Sequence, residues 1–210
     1  MQRADAWVPV AERLAERYPS VLLDHASERP EPGVVPVGYS MGGRLVLHAA
    51  LEEPERWPAL ALVGVRAGVD DANSRARSDA ELAYWIEGRS IEEVVARWES
   101  SPVFASQSPE LRAAQRPGRM SHDPAGLADD LRRFGQGVMP PVWGRLGELE
   151  MPVLLLVGEL DEPYVAAARR MAGLMPRAES RTVPGCGHAP QLEDPAAVAA
   201  ALGEFLDARF

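Results

Sequence analysis

Three side chains that lie far apart in the sequence, Ser40, Asp161 and His188, could together activate a hydroxyl group. Ser40 lies in Gly-Tyr-Ser-Met-Gly, Asp161 follows Leu-Leu-Leu-Val-Gly-Glu-Leu, and His188 ends a Gly-Cys-Gly-His turn. A serine hydroxyl is a poor nucleophile or base until an imidazole takes its proton, and the imidazole needs a carboxylate to fix its tautomer. Because each residue follows a predicted strand, we expect a catalytic triad.

The residues around Ser40 have the pattern of a strand, a sharp turn and a helix. An apolar run over residues 34–37 precedes the turn, and an Ala- and Leu-rich stretch follows it. We expect Gly38 and Gly42 to be needed because a side chain would collide across so tight a turn. The start of the helix points N–H groups at any anion that forms there, so the N–H of Met41 is the predicted oxyanion donor.

Other residues capable of chemistry fit a catalytic role less well. His48 falls within the predicted helix after the turn, so packing or solvent contact is expected. His122 falls in a charged, helical region, where a structural role is expected and facing the pocket is the alternative. His25 follows a short apolar run, where it could line a cavity. Cys186 has glycine neighbours and suits a small filler. Four scattered histidines and one cysteine show no metal-ligand spacing, so we predict neither a metal nor another cofactor.

The apolar pattern predicts an α/β fold with a mostly parallel sheet of about five strands flanked by helices. Residues 59–65 and 153–158 are continuous apolar runs, as expected for parallel strands buried on both faces. Residues 181–183 are a weaker strand, and residues 21–23 are the least supported. Helices are expected at residues 7–18, 74–89, 91–99, 124–135, 165–175 and 195–210.

The composition changes between residues 66 and 140, which are rich in arginine and acidic residues and carry helical patterns only. We therefore predict a helical cap over residues 66–140, inserted into a core formed by residues 1–65 and 141–210. Reactive groups are expected on loops at the carboxyl ends of the core strands.

The bulk composition limits the possible partners. The chain has 210 residues, a formal net charge of −9 and 22 Lys+Arg residues, every one of them arginine. An acidic protein is a poor match for nucleic acid or an anionic membrane, and no stretch is apolar enough to span a membrane. The N-terminal residues have no signal-peptide core, and one cysteine suits a reducing compartment, so a cytoplasmic monomer or homodimer acting on a small substrate is expected.

Longer motifs point to one family. Residues 38–44 read Gly-Tyr-Ser-Met-Gly-Gly-Arg, residues 98–104 read Trp-Glu-Ser-Ser-Pro-Val-Phe, and Gly187 begins Gly-His-x-x-x-x-Glu-x-Pro. From Trp7 onward the sequence resembles the 2-succinyl-6-hydroxy-2,4-cyclohexadiene-1-carboxylate synthases of menaquinone biosynthesis, which are members of the α/β-hydrolase superfamily.

That resemblance implies a lyase that eliminates pyruvate from a small anionic substrate, a cyclohexene with several carboxylates. In this interpretation His188 makes Ser40 basic, Ser40 removes a ring proton, and Asp161 orients His188. The implied substrate-binding residues are Tyr39, Arg44, Arg75, Trp98 and Arg119. The alternative for the arginines is that they cap helices or pair with surface acids.

The sequence departs from this family near its start. Relatives open with a strand and a His-Gly-x loop before the region of Trp7, and neither is present here. The link over residues 24–33 is also too short for a normal helical crossover. We expect either a start further upstream or a divergent member with a rebuilt or absent second oxyanion donor.

Two other functions therefore remain open. The same triad would serve a serine esterase or thioesterase that works through an acyl-enzyme. A truncated hydrolase scaffold without activity, which binds a small acid or a partner, is the third possibility.

Overall fold

The computed structural model describes residues 2–24 and 31–210, in which helices alternate with four parallel strands. The strands are β1 (Val37–Tyr39), β2 (Leu60–Val63), β3 (Val153–Gly158) and β4 (Ala178–Val183). The helices are α1 (Val8–Leu14), α2 (Ser40–Glu52), α3 (Ala72–Glu87), α4 (Ile91–Glu99), α5 (Pro109–Met120), α6 (Pro124–Phe134), α7 (Glu162–Ala172), α8 (Pro190–Glu193) and α9 (Pro195–Asp207). Short 3₁₀ helices cover Ala4–Trp7, Pro54–Arg56, Pro102–Phe104 and Trp143–Glu148.

The sheet has the order β1-β2-β3-β4, and every neighbouring pair is parallel. All residues of β2 and β3 are buried, because apolar side chains leave both faces of these strands. Leu62 and Leu155 pack with α2 and α7 on one face, while Ala61 and Leu154 pack with α1 and α9 on the other. The carboxyl ends of the strands consequently share one edge of the sheet.

The part of the chain that the structure describes has four strands in its sheet, where about five are expected from the sequence. Residues 21–23 form no strand there, and Val21 is 82% exposed. Strand β1 is short and is bonded only to β2 among the described strands. The apolar run at 21–23 therefore has neither a described neighbouring strand nor a buried face to stabilise it.

Four helices, α3 to α6, lie between β2 and β3 within residues 66–140, and this segment is named the cap after the expectation from the sequence. Helices α3 and α6 pack together around a small apolar cluster that includes Ala83 and Ala128. Helix α4 starts with a capping box in which Ser90 and Glu93 bond reciprocally to each other's N–H groups. Within the described residues, no helix is long and apolar enough to cross a bilayer.

Helix boundaries differ from the predicted ones in several places; α7, for example, spans Glu162–Ala172 where residues 165–175 are predicted. The helix expected over residues 7–18 ends at Leu14 and is preceded by a 3₁₀ turn. Helix α5 was absent from the sequence prediction, because Pro117 and Gly118 interrupt its pattern. Ser108 caps its first turn through the N–H of Leu111, and a proline at the start suits the missing N–H partners there.

Candidate active site

The turn between β1 and α2 forces Ser40 into left-handed backbone angles. Its φ is +49°, and it is the only non-glycine residue with positive φ in the described part of the chain. A side chain on Gly38 would place its Cβ 2.5 Å from the Cα of Gly43, and one on Gly43 would approach Val65 at 2.3 Å. These two glycines allow the strand and the helix to meet, so the serine oxygen projects beyond the sheet.

The expected steric role of Gly42 is wrong. A Cβ added to Gly42 meets nothing within 4 Å, whereas one on Gly43 meets backbone. The close approach is between Gly38 and Gly43, because the residue that faces the strand lies one position further along the helix. Met41 lies in the first turn of α2, where N–H groups have no partner within the helix.

The structure brings Ser40, His188 and Asp161 together at the carboxyl edge of the sheet. His188 Nε2 lies 3.1 Å from Ser40 Oγ, and His188 Nδ1 lies 2.6 Å from Asp161 Oδ2. The side chains of His188 and Asp161 are both buried, which shields their contact from water. Both distances are within hydrogen-bond reach, so a proton can move between Ser40 and His188 while Asp161 holds the opposite ring nitrogen.

The loop that carries His188 is held by Glu193. Its carboxylate accepts hydrogen bonds from the N–H of Gly187 at 2.9 Å and from the N–H of Ala189 at 3.2 Å. The His188 ring also packs against Gly64 at the end of β2, where an added Cβ would approach it at 3.3 Å. The Gly-His-x-x-x-x-Glu-x-Pro motif contains Glu193, but the sequence alone gave it no role.

Aromatic rings surround the imidazole. The ring centroids of Tyr164, Tyr39 and Phe104 lie 4.5, 5.4 and 6.4 Å from that of His188. The ring centroids of Trp98 and Phe104 lie 5.3 Å apart, so Trp98 supports one of the rings around His188. Burial raises the pKa of Tyr39 well above its usual range, and Tyr164 and Asp161 add to this shift. Tyr39 therefore stays protonated and can donate a hydrogen bond.

The three predicted arginines are placed differently. Arg119 is 2% exposed, and its guanidinium contacts Glu99 Oε1 and Gln107 Oε1, each at 3.1 Å. Arg75 lies on the cap surface and bonds to the buried Asp79 at 2.7 Å. Arg119 and Arg75 are thus already neutralised by cap carboxylates.

Arg44 differs from both. It is 9% exposed, and its Nη2 donates to the carbonyl of Phe134 at 2.8 Å, while its buried Nη1 has no hydrogen-bond partner among the described residues. Burial lowers the pKa of this guanidinium, and the charge of Arg75 acts in the same direction. Arg44 and Arg66 line a small cavity together with Gln136.

The remaining reactive residues lie apart from the triad. His48 lines the same cavity as Arg44, and burial, followed by the charge of Arg44, lowers its pKa. Cys186 is buried in the core, and burial raises the pKa of its thiol to about 11. His122 is half-buried after α5, and His25 falls outside the described residues. Within the described ranges, no group of three or more His, Cys, Asp or Glu side chains could hold a metal ion.

The fold and the site define a class of protein. A sequence model of the alpha/beta hydrolase family matches residues 3–201, and the chain belongs to that family.

The relatives within the family are more specific. The chain is 36% identical over 176 residues to a putative 2-succinyl-6-hydroxy-2,4-cyclohexadiene-1-carboxylate synthase from Bacillus subtilis, a match that covers 81% of this chain and 64% of the relative. It is 32% identical to the synthase of that name from Escherichia coli, with 81% of this chain and 67% of the relative covered. The chain thus spans about two thirds of the length of these relatives.

Solved structures of other proteins have the same fold. MenH from S. aureus superposes with a TM-score of 0.90 at 26% identity, over 99% of this chain and 90% of that one. A thermophilic esterase from Thermogutta terrifontis superposes with a TM-score of 0.83 at 21% identity, over 98% and 86% of the two chains, and shows the shared fold.

Proposed function

We propose that this protein is a lyase of menaquinone biosynthesis that eliminates pyruvate from a polycarboxylate cyclohexene. The observation that carries the proposal is the presence of two buried guanidinium groups in elements that contact the triad: Arg44 is in α2, which begins at Ser40, and Arg119 lies over the ring of Phe104, which flanks His188. In an otherwise acidic protein, such groups can bind the carboxylates of an anionic substrate, whereas a neutral ester has no negative charge for them to bind. Similarity to the synthases of B. subtilis and E. coli supports the choice of substrate.

The proposed reaction uses Ser40 as a base. His188 Nε2 takes the hydroxyl proton, and Ser40 Oγ removes a proton from the ring of the substrate. The electron pair of the broken C–H bond forms a ring double bond, and the C–O bond to the three-carbon group breaks, so that this group leaves as the enolate of pyruvate. The enolate gains a proton at its CH2 carbon to become pyruvate, and the His188 imidazolium gives up its proton, which restores the free enzyme. Asp161 holds His188 in the required tautomer and stabilises the imidazolium. The N–H of Met41 faces the negative charge that develops on the substrate.

Arg44 and Arg119 are the proposed carboxylate-binding residues, with Tyr39 and Trp98 shaping the pocket. Arg44 has a buried donor to spare, while Arg119 would share its charge between Glu99 and the substrate. Arg75 lies on the cap surface, where it would attract a carboxylate of the substrate. We propose a cytoplasmic location, because that is where such a pathway enzyme meets its substrate.

Pyruvate release tests this proposal directly. The enzyme is mixed with the cyclohexene intermediate that precedes 2-succinyl-6-hydroxy-2,4-cyclohexadiene-1-carboxylate, and pyruvate is followed with lactate dehydrogenase and NADH. We expect continuous release that requires Ser40. We expect Arg44→Ala and Arg119→Ala to reduce kcat/KM by at least 10-fold, since each removes a charged hydrogen bond to the substrate. Unchanged release in both variants would contradict the carboxylate-binding roles.

A serine esterase is the second candidate, because the same triad geometry can form an acyl-enzyme. An activated aryl ester distinguishes the two functions. An esterase gives a burst and a covalent adduct of Ser40, whereas the lyase releases pyruvate without accumulating any adduct. Intact-mass measurement during turnover decides between them.

A further inference from the structure

Tyr164 has the ring closest to the imidazole among the aromatic residues around His188. Its centroid lies 4.5 Å from that of His188, and the two rings are tilted by 53°. Tyr164 is in the first turn of α7, and its N–H donates to the carbonyl of Asp161 at 2.9 Å. One residue therefore contacts the imidazole while its backbone is bonded to that of Asp161.

The hydroxyl of Tyr164 is held by a residue of the cap. Gln136 Nε2 donates to Tyr164 Oη at 2.8 Å, and the guanidinium of Arg66 lies over the tyrosine ring at 4.9 Å. Gln136 follows α6 at the end of the cap, whereas Tyr164 belongs to the core. Their hydrogen bond joins the cap to the ring that flanks His188.

The segment around Gln136 is anchored on both sides. The carbonyl of Phe134 accepts from Arg44 of α2, and the N–H of Gly137 donates to Asp79 of α3 at 3.0 Å. The cap end is thus bonded to the helix that follows Ser40 and to another cap helix. A shift of this segment would move the donor that orients Tyr164.

We propose that Tyr164 is a positioning residue that fixes the His188 ring, and that Gln136 of the cap fixes Tyr164 in turn. The cap then holds the triad in position, and the distance between His188 Nε2 and Ser40 Oγ depends on Tyr164, a residue outside the triad. Small displacements of reacting groups can cost large factors in rate, so loss of this hydrogen bond should slow chemistry rather than weaken substrate binding. The inference rests on the proposed role of the triad.

A double-mutant cycle with Tyr164→Phe and Gln136→Ala tests the inference. Two rates are measured: labelling of Ser40 by a fluorophosphonate, which needs no carboxylate recognition, and kcat for pyruvate release. We expect each single variant to lower both rates by about 3- to 10-fold, the range of one hydrogen bond, with KM nearly unchanged. We expect the double variant to be no slower than either single one, because both changes remove the same bond.

Tyr84→Phe is the matched control, since Tyr84 lies on the cap surface and is largely exposed. Melting temperatures show that the variants fold. An unchanged labelling rate in Tyr164→Phe would overturn the inference, as would single effects that multiply in the double variant. A KM increase confined to Gln136→Ala would instead assign Gln136 to substrate binding and refute the positioning role. If the wild-type protein is not labelled, the triad itself fails; if it is labelled and the variants match it, only this inference fails.

Discussion

The core side and the cap side of the site hold their polar groups in different ways. On the core side, Ser40, His188 and Asp161 contact one another, and Glu193 holds the loop of His188 through two N–H groups. On the cap side, Arg119 is paired with Glu99 within the cap itself. The core therefore has its reactive geometry before any substrate binds, whereas the cap guanidinium is already bonded to a carboxylate and would divide its charge between that carboxylate and the proposed substrate.

This difference assigns separate kinetic effects to the two regions. Changes in the core should reduce the rate of the chemical step, because the groups involved act on the reacting atoms. Changes in the cap should mainly weaken binding of an anionic substrate. The bond between Gln136 and Tyr164 crosses the boundary, and it is the proposed exception.

The largest effect is expected for Asp161→Asn. An amide at this position would favour the wrong tautomer of His188, and we expect kcat to fall by about 10³–10⁴-fold with little change in KM. Asp129→Asn, a change in an exposed acid of α6, is the control and should leave kcat unchanged. A loss of kcat of less than 10-fold in Asp161→Asn would show that His188 does not need the Asp161 carboxylate to hold its tautomer.

A large structural effect is expected for Gly43→Ala, with Gly42→Ala as its neighbour and control. The Cβ at Gly43 would meet Val65 and the carbonyl of Gly38, and we expect the free energy of unfolding to fall by about 1–3 kcal/mol. The Cβ at Gly42 meets nothing, so Gly42→Ala should be neutral or slightly stabilising. Urea denaturation measures both; equal losses would contradict the packing described for the turn.

A smaller, purely kinetic effect is expected in the cap. Arg119→Gln should raise KM by about 10-fold and leave kcat within 2-fold, because it removes a charged contact to the substrate. Arg116→Gln is a close control, since Arg116 also pairs with Glu99 at 2.5 Å but is 43% exposed. If both variants change KM equally, the effect comes from Glu99 or cap stability, and Arg119 has no direct contact with substrate.

The smallest change is expected for Cys186, two residues before His188 in the core loop. Because burial raises the pKa of its thiol to about 11, almost no thiolate forms at pH 8. We expect iodoacetamide to leave Cys186 unmodified in the native protein and to alkylate it in urea, as measured by intact mass. Rapid alkylation of the native protein would show that the core side is open to solvent.

Much of the fold follows from local apolar patterns. Strand β3 agrees with its predicted bounds and β2 lies inside its predicted run, because runs buried on both faces contain no polar residue to blur the pattern. The apolar run at residues 21–23 has the same local appearance, but a strand also needs a neighbour. Helix α5 is the opposite case: Pro117 weakens the helical pattern in the sequence, but the helix forms and Ser108 caps its first turn.

The candidate site, like the fold, could be predicted from the sequence only in part. The order of Ser40, Asp161 and His188, each after a strand, was enough to predict that they meet. The contact between Gly38 and Gly43 depends on the direction in which each residue faces, so the sequence pattern pointed to Gly42 instead. Tyr164 and Gln136 belong to no motif, and only the packing of the cap on the core brings them together.

The claim on which the account rests is that His188 makes Ser40 reactive. The most direct test is the second-order rate of fluorophosphonate labelling, with peptide mapping of the adduct, in the wild-type protein and in His188→Ala. We predict stoichiometric labelling of Ser40 in the wild type and a rate at least 10³-fold lower in His188→Ala. Equal rates in the two proteins, or an adduct on another residue, would contradict it.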